Sequence, residues 1–171
     1  MSQAVVLFAG HGYRLRADRL QHEFEHDGPL PRLLLRYTQA LIAQIGQIAV
    51  CKRHHALEQR LCRWLLSCLD RLPANELTIT HDLVADMLGV RREGVTEVMG
   101  KLHQAGAIQG GRGCIVVIDR LALEARACEC YGVVRREYDR LLAECRHAAA
   151  PSGARLVTKT HAFPILSESR A

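Results

Sequence analysis

ITHDLVADMLGVRREGVTEVMGKLHQAGAIQGGRGCIVVI, residues Ile79 to Ile118, is the stretch on which the reading of this chain turns. Leu83, Val84 and Leu88 form one apolar stripe, and Val95, Val98, Met99 and Leu102 form another, each at the three-to-four spacing of a buried helical face. Ala85 is the small residue where two helices approach closely, and Gly89, four positions on, supplies the permissive backbone of a sharp turn. Thr80 stands where its hydroxyl can cap the helix that Asp82 opens. Ile108, then Gly110-Gly111-Arg112-Gly113, then Cys114 to Ile118 spell a strand, a tight turn and a β-branched strand. A helix pair followed by such a hairpin is the pattern of a winged helix-turn-helix, so DNA is the first candidate partner.

The second helix of the pair shows solvent a polar face made of Arg92, Glu93, Thr96, Glu97 and Lys101, suited to base edges and phosphates in a major groove. Arg91 opens that helix where a capping hydroxyl is common, which sets a cation at the positive helix end and favours a bound phosphate. Arg112, between the wing glycines, is placed to lie along the phosphate backbone. The expected DNA contacts are therefore Arg91, Arg92, Glu93, Thr96, Glu97, Lys101 and Arg112.

These residues resemble the Crp/Fnr family of bacterial transcription regulators. The run from Leu33 to Leu66, LLLRYTQALIAQIGQIAVCKRHHALEQRLCRWLL, looks like that family's long dimerisation helix entering its DNA-binding domain, and Asp119 to Leu142 looks like the C-terminal helix of some members. The resemblance implies a mainly α fold: a winged helix-turn-helix preceded by a long dimerisation helix, with a small β-hairpin wing. It implies a homodimer on double-stranded DNA, RNA polymerase as a further partner, no cofactor, no membrane and no catalysis. Arg92 and Glu93 match the family's base-reading pair, suited to guanine and cytosine. Glu97 stands where the best-known members carry a second arginine, so the operator is expected to differ.

Four segments follow: 1–29, a remnant of a sensory β-roll with a short helix; 30–55, the dimerisation helix; 56–145, the winged domain with its C-terminal helix; and 146–171, a flexible tail. Gly10, Gly12, Gly28, Pro29 and Pro31 limit the first segment to a short helix over Arg16 to His26, with Val5 to Asp18 as a last strand of the roll. So short a remnant predicts no cyclic-nucleotide pocket. Leu34, Leu41, Ile48 and His55 recur every seven residues, with Tyr37, Gln44 and Cys51 three places on, and Leu34, Tyr37, Leu41, Ile45 and Ile48 are the expected dimer seam. The same spacing also suits a helix packed within its own monomer. Further helices are expected over Ala56 to Leu72 and Leu121 to Leu142, with a strand at Leu77 to Ile79.

With 171 residues, 49% of them hydrophobic, the chain can bury one ordinary core, and its net charge of +5 suits a polyanionic partner. No apolar run approaches a membrane span and no signal sequence opens the chain, so a cytoplasmic location is expected. Seven cysteines show no paired framework and fit reduced thiols.

Three features carry other chemistry. His22-Glu23-Phe24-Glu25-His26 matches the HExxH pattern of zinc hydrolases, but Gly28-Pro29 cuts the helix short and no further ligand motif follows, so a hydrolase is the lesser alternative. Cys128 and Cys130, two apart on the expected helix, point to different faces and are expected to pack as small buried hydrophobes rather than bind metal. His54 and His55 are expected to form a solvated bend. A fragment that dimerises without specific DNA binding is the other alternative.

Overall fold

The computed structural model describes residues 7–8, 14–26, 28–111 and 113–147. Its order is α1 (Ala17–Glu25), α2 (Pro29–His54), α3 (Leu57–Leu69), β1 (Glu76–Leu77), α4 (His81–Leu88), α5 (Arg92–Gln104), β2 (Ile108–Gly111), β3 (Cys114–Val117), α6 (Arg120–Arg126) and α7 (Cys130–His147). The architecture is mainly helical, with one small antiparallel sheet in the order β1-β3-β2. Among the described residues no helix is long and apolar enough to cross a membrane.

The core lies between α3, the α4–α5 pair, the sheet and α6. Leu61, Leu65, Leu66, Leu77, Val84, Val95, Leu102 and Leu123 are fully enclosed there. Burying a side chain of this size contributes about 1.5–3 kcal/mol, so this cluster holds the domain together. Both apolar stripes of Ile79–Ile118 point into it. Thr80 caps α4 by accepting a hydrogen bond from the Leu83 amide at 3.3 Å. Gly89 ends α4 in the left-handed region at φ 64, which a side chain would resist. Arg60 of α3 donates to the Leu88 carbonyl and so covers an open end of α4.

In the wing, Ile108 pairs with Val117 and Gly110 with Ile115. A Cβ on Gly110 would collide with the Cys114 carbonyl oxygen, so the tight hairpin depends on that glycine. β1 is Glu76–Leu77 rather than Leu77 to Ile79, because the chain leaves β3 after Leu77 to let Thr80 reach its capping position.

Two departures matter more. The helix expected over Leu121 to Leu142 is broken: α6 ends at Arg126, Ala127 is extended (φ −70, ψ 152), and α7 starts at Cys130. Around the break, Arg120 donates to Asp70 at 2.6 Å, to Tyr131 Oη at 2.6 Å and to Glu124 at 2.9 Å, while Tyr131 Oη donates to Asp70 at 3.0 Å. α7 then runs back along α2, with Tyr138 edge-on to Tyr37 at 6.4 Å between ring centroids.

At the N-terminus the short helix expected over Arg16 to His26 is α1. Of the strand expected over Val5 to Asp18, Leu7, Phe8 and residues 14–16 are not extended pairs, and Ala17 and Asp18 begin α1. The remainder of that segment, and the tail beyond His147, lie outside the described residues.

Candidate nucleic-acid interface

Three short-range effects fix where α5 points. Arg91 is its N-cap, with no side-chain capping bond, so the first amides of the helix face solvent beside a cation. Gly94 sits against α3, where an added Cβ would stand 3.0 Å from a Leu57 methyl. Val95, Val98, Met99 and Leu102 anchor the inner face. The outer face therefore consists of Arg91, Arg92, Glu93, Thr96, Glu97 and Lys101, all exposed.

That face is internally braced. Arg92 Nε lies 3.4 Å from Asp82 Oδ1, with both side chains about two-thirds exposed. Thr96 Oγ1 shares a hydrogen bond with His81 Nδ1 at 3.1 Å. Lys101 Nζ lies 2.7 Å from Glu97 Oε1; this hydrogen bond holds the Glu97 carboxyl below its ordinary range and raises the Lys101 ammonium above its own. Both groups are thus charged near neutral pH. Between α5 and the wing runs a groove of about 560 Å³, bordered by Arg92, Thr96, Gly100, His103, Gln109 and Gly113. Arg112 lies outside the described residues; its neighbours Gly111 and Gly113 border this groove.

Residues 59–126 match the Crp-like helix-turn-helix domain. The match bears out the resemblance to Crp/Fnr regulators drawn from Ile79–Ile118. Among solved structures, the chain is similar to a putative crp/fnr-family transcriptional regulator from Eubacterium rectale, at 29% identity over 53% of this chain and 44% of that one, with a TM-score of 0.47. It is similar also to two proteins from Thermus thermophilus. One is a CRP-family transcriptional regulator (22% identity, 66% of this chain, 55% of that chain, TM-score 0.48). The other is a CRP/FNR-family regulator (26%, 67% and 56%, TM-score 0.46). The chain thus spans about half the length of these structures. No curated protein matches it.

Within the matched segment, two braces of the outer face of α5 escaped the sequence analysis. His81 was not singled out, and Asp82 was read only as a helix opener. The signal was available: in a helix-turn-helix the first turn of one helix meets the first turns of the next, which brings residues 81 and 82 beside 96 and 92.

Of the expected seam, Leu34, Leu41 and Ile48 are half-buried, while Tyr37 and Ile45 are exposed. The face of α2 that carries bare apolar side chains is shifted by one position: Leu35 is 63% exposed, Ile42 65% and Ile45 58%.

Among the described residues, two groups of side chains have the composition of metal ligands. His22, Glu25 and His26 lie together at the end of α1, all exposed, with the two rings 3.9 Å apart. Glu23, the base of the HExxH pattern, lies against Gly28 instead. The second group is Cys51, His55, Cys128 and Cys130. The expectation that helical spacing keeps Cys128 and Cys130 apart fails because the helix is interrupted between Arg126 and Cys130. His54 is exposed as expected, but the His55 side chain is only 14% exposed, because the α6–α7 turn covers it. Cys62 and Cys68 are different: burial pushes their thiols up to about 12 and about 11, as for inert core residues.

Proposed function

We propose that the chain is a sequence-specific DNA-binding transcription regulator of Crp/Fnr type, acting as a homodimer with α5 in the major groove of each half-site. The observation that carries this reading is the polar outer face of α5, exposed along its length beside a glycine-hinged wing, in a domain of Crp-like type. Arg92 reads guanine through a bidentate guanidinium, and Glu93 accepts from a cytosine amino group. Arg91 meets a phosphate at the helix N-terminus, where unpaired amides add their own donors. Thr96 and Glu97 complete the face, and Lys101 and Arg112 contact phosphates on either side of it.

Leu35, Ile42 and Ile45, with Thr38 and Ala49, fall at the a and d positions of a heptad on the α2 face left open by α7. A bare apolar stripe of this kind is stabilised by pairing with the same stripe of a second copy, and two-fold pairing matches a palindromic site. RNA polymerase is the partner through which such binding would alter transcription.

Selection from random duplexes with the full chain tests the proposal. The expected result is one enriched sequence with two inverted half-sites a duplex turn apart, bound with a steep salt dependence. Retention without enrichment of any sequence would replace it with a fragment that dimerises but does not read DNA. Transcription from a promoter bearing the selected site tests the polymerase step.

A further inference from the structure

The interior of the Crp-like domain is largely aliphatic, with Cys62 and Cys68 set among leucines and valines, but where the end of α2 meets the α6–α7 turn the buried cluster consists of Cys51, Cys128 and Cys130 alone, exposed by 1%, 4% and 0%. Thiols used as space-filling hydrophobes pack among leucines and valines. These pack against one another and an imidazole. Cys51 Sγ lies 3.5 Å from Cys128 Sγ, Cys130 Sγ lies 3.5 Å from His55 Nδ1, and one donor atom from each of the four residues falls within 4.8 Å of the rest.

We propose that Cys51, His55, Cys128 and Cys130 form a structural zinc site that pins the C-terminal end of α2 to the α6–α7 turn. Zinc bonds of about 2.3 Å to sulfur and about 2.0–2.1 Å to nitrogen, arranged as a tetrahedron, place two sulfurs about 3.8 Å apart and a sulfur about 3.5 Å from the nitrogen. The Cys51–Cys128 and Cys130–His55 separations of 3.5 Å lie close to these values, and the remaining pairs fall within 4.8 Å. A Cys3His set with four protein ligands is a closed centre, of the kind that supports a fold rather than catalysis.

The surroundings agree. The other ring nitrogen of His55, Nε2, lies 3.2 Å from Glu129 Oε1, the carboxylate–histidine arrangement that orients a ligating imidazole. Gln47 Nε2 donates to Cys130 Sγ at 3.1 Å. Zinc with three thiolates and a neutral imidazole carries one net negative charge, and Arg63 lies beside Cys51, buried at 7% exposure and with its Nε without a hydrogen-bond partner among the described residues. A buried guanidinium there is stabilised by a negatively charged centre. On binding, the three thiols release their protons and zinc accepts the sulfur lone pairs, with no change of oxidation state.

The test reads metal alone, so its outcome is separate from that of DNA binding. The full chain, purified under reducing conditions without chelator, is expected to contain one zinc per chain. After stripping, Co2+ should restore the intense thiolate-to-cobalt charge-transfer band and the visible bands of a tetrahedral ion. Cys51→Ser and Cys130→Ser, nearly isosteric changes, should weaken affinity at least 100-fold, and Glu129→Gln roughly 10- to 100-fold. The double variant His22→Ala, His26→Ala removes the exposed donors of α1 and should bind as the parent does. A parent chain that shows no tetrahedral thiolate spectrum overturns the proposal, even if a variant fails to fold. So does a serine variant with undiminished affinity, or a Cys51–Cys128 disulfide in a chain that holds no metal.

Discussion

Replacing Arg92 by alanine separates base reading from mere attraction to a polyanion. In the free chain the guanidinium rests 3.4 Å from Asp82. An ion pair this exposed stabilises by at most about 1 kcal/mol. A bidentate contact with guanine discriminates by about 1–3 kcal/mol, so on the proposed reading Arg92 would leave Asp82 for the base at a net gain. Setting the lost contact against the freed pair, Arg92→Ala should weaken the selected site by about 1–2 kcal/mol, roughly 5- to 30-fold. Scrambled duplex should lose about twofold, the share of one phosphate-attracting charge. Fluorescence anisotropy on both duplexes at two salt concentrations measures these numbers, and Asp82→Asn supplies the control. With its tether neutralised, Arg92 should bind both duplexes slightly more tightly. Equal losses on selected and scrambled DNA would refute the assignment of Arg92 as a base reader.

Lys101→Ala is expected to weaken all sequences alike and lower the salt slope by about 1, read from the same titrations. The double variant Ile42→Glu, Ile45→Glu should sediment as a folded monomer, since both side chains are exposed; Leu41→Glu with Ile48→Glu should instead lower the melting temperature, because those residues are half-buried in their own chain. Burial, then the hydrogen bond to Asp70, raises the Tyr131 phenol above its ordinary value of 10.0, so its stabilisation is complete below that pH and is lost as pH rises through the higher folded value. Urea unfolding of Tyr131→Phe between pH 9 and 11 should show a shallower alkaline loss than the parent, part of which remains because burial raises Tyr138 too.

The helix-turn-helix and wing were legible because their signals are local. Gly89 must turn, Thr80 must cap, and the apolar stripes have one face each. The faces of α2 were not. Its sequence carries two heptad stripes one residue apart, Leu34-Leu41-Ile48 and Leu35-Ile42-Ala49, sharing Ile45, and periodicity cannot say which one α7 will cover. The break at Ala127 was equally silent, since no glycine or proline marks it and Leu123 and Tyr131 face the core on either side. Missing it hid the convergence of Cys128 and Cys130 on Cys51 and His55, residues about 75 positions away that only the antiparallel return of α7 brings together.

That return also determines how the two expected tasks of the chain are joined. His55 and Ala56, the link between α2 and α3, are both extended, with ψ 143 and 156, so the link itself sets no fixed angle. The angle is set across it. α7 lies along α2, its Tyr131 joins Asp70, the C-cap of α3, and Arg120 of α6 in one hydrogen-bonded network, and the thiol–imidazole cluster sits between the end of α2 and the start of α7. In a dimer paired through α2, the separation of the two recognition helices follows from that angle, and half-sites about 34–36 Å apart tolerate little error. In such a dimer α7 would be the strut that positions the proposed reading face, and changes at its N-terminal end are expected to alter half-site spacing before they alter the preferred base.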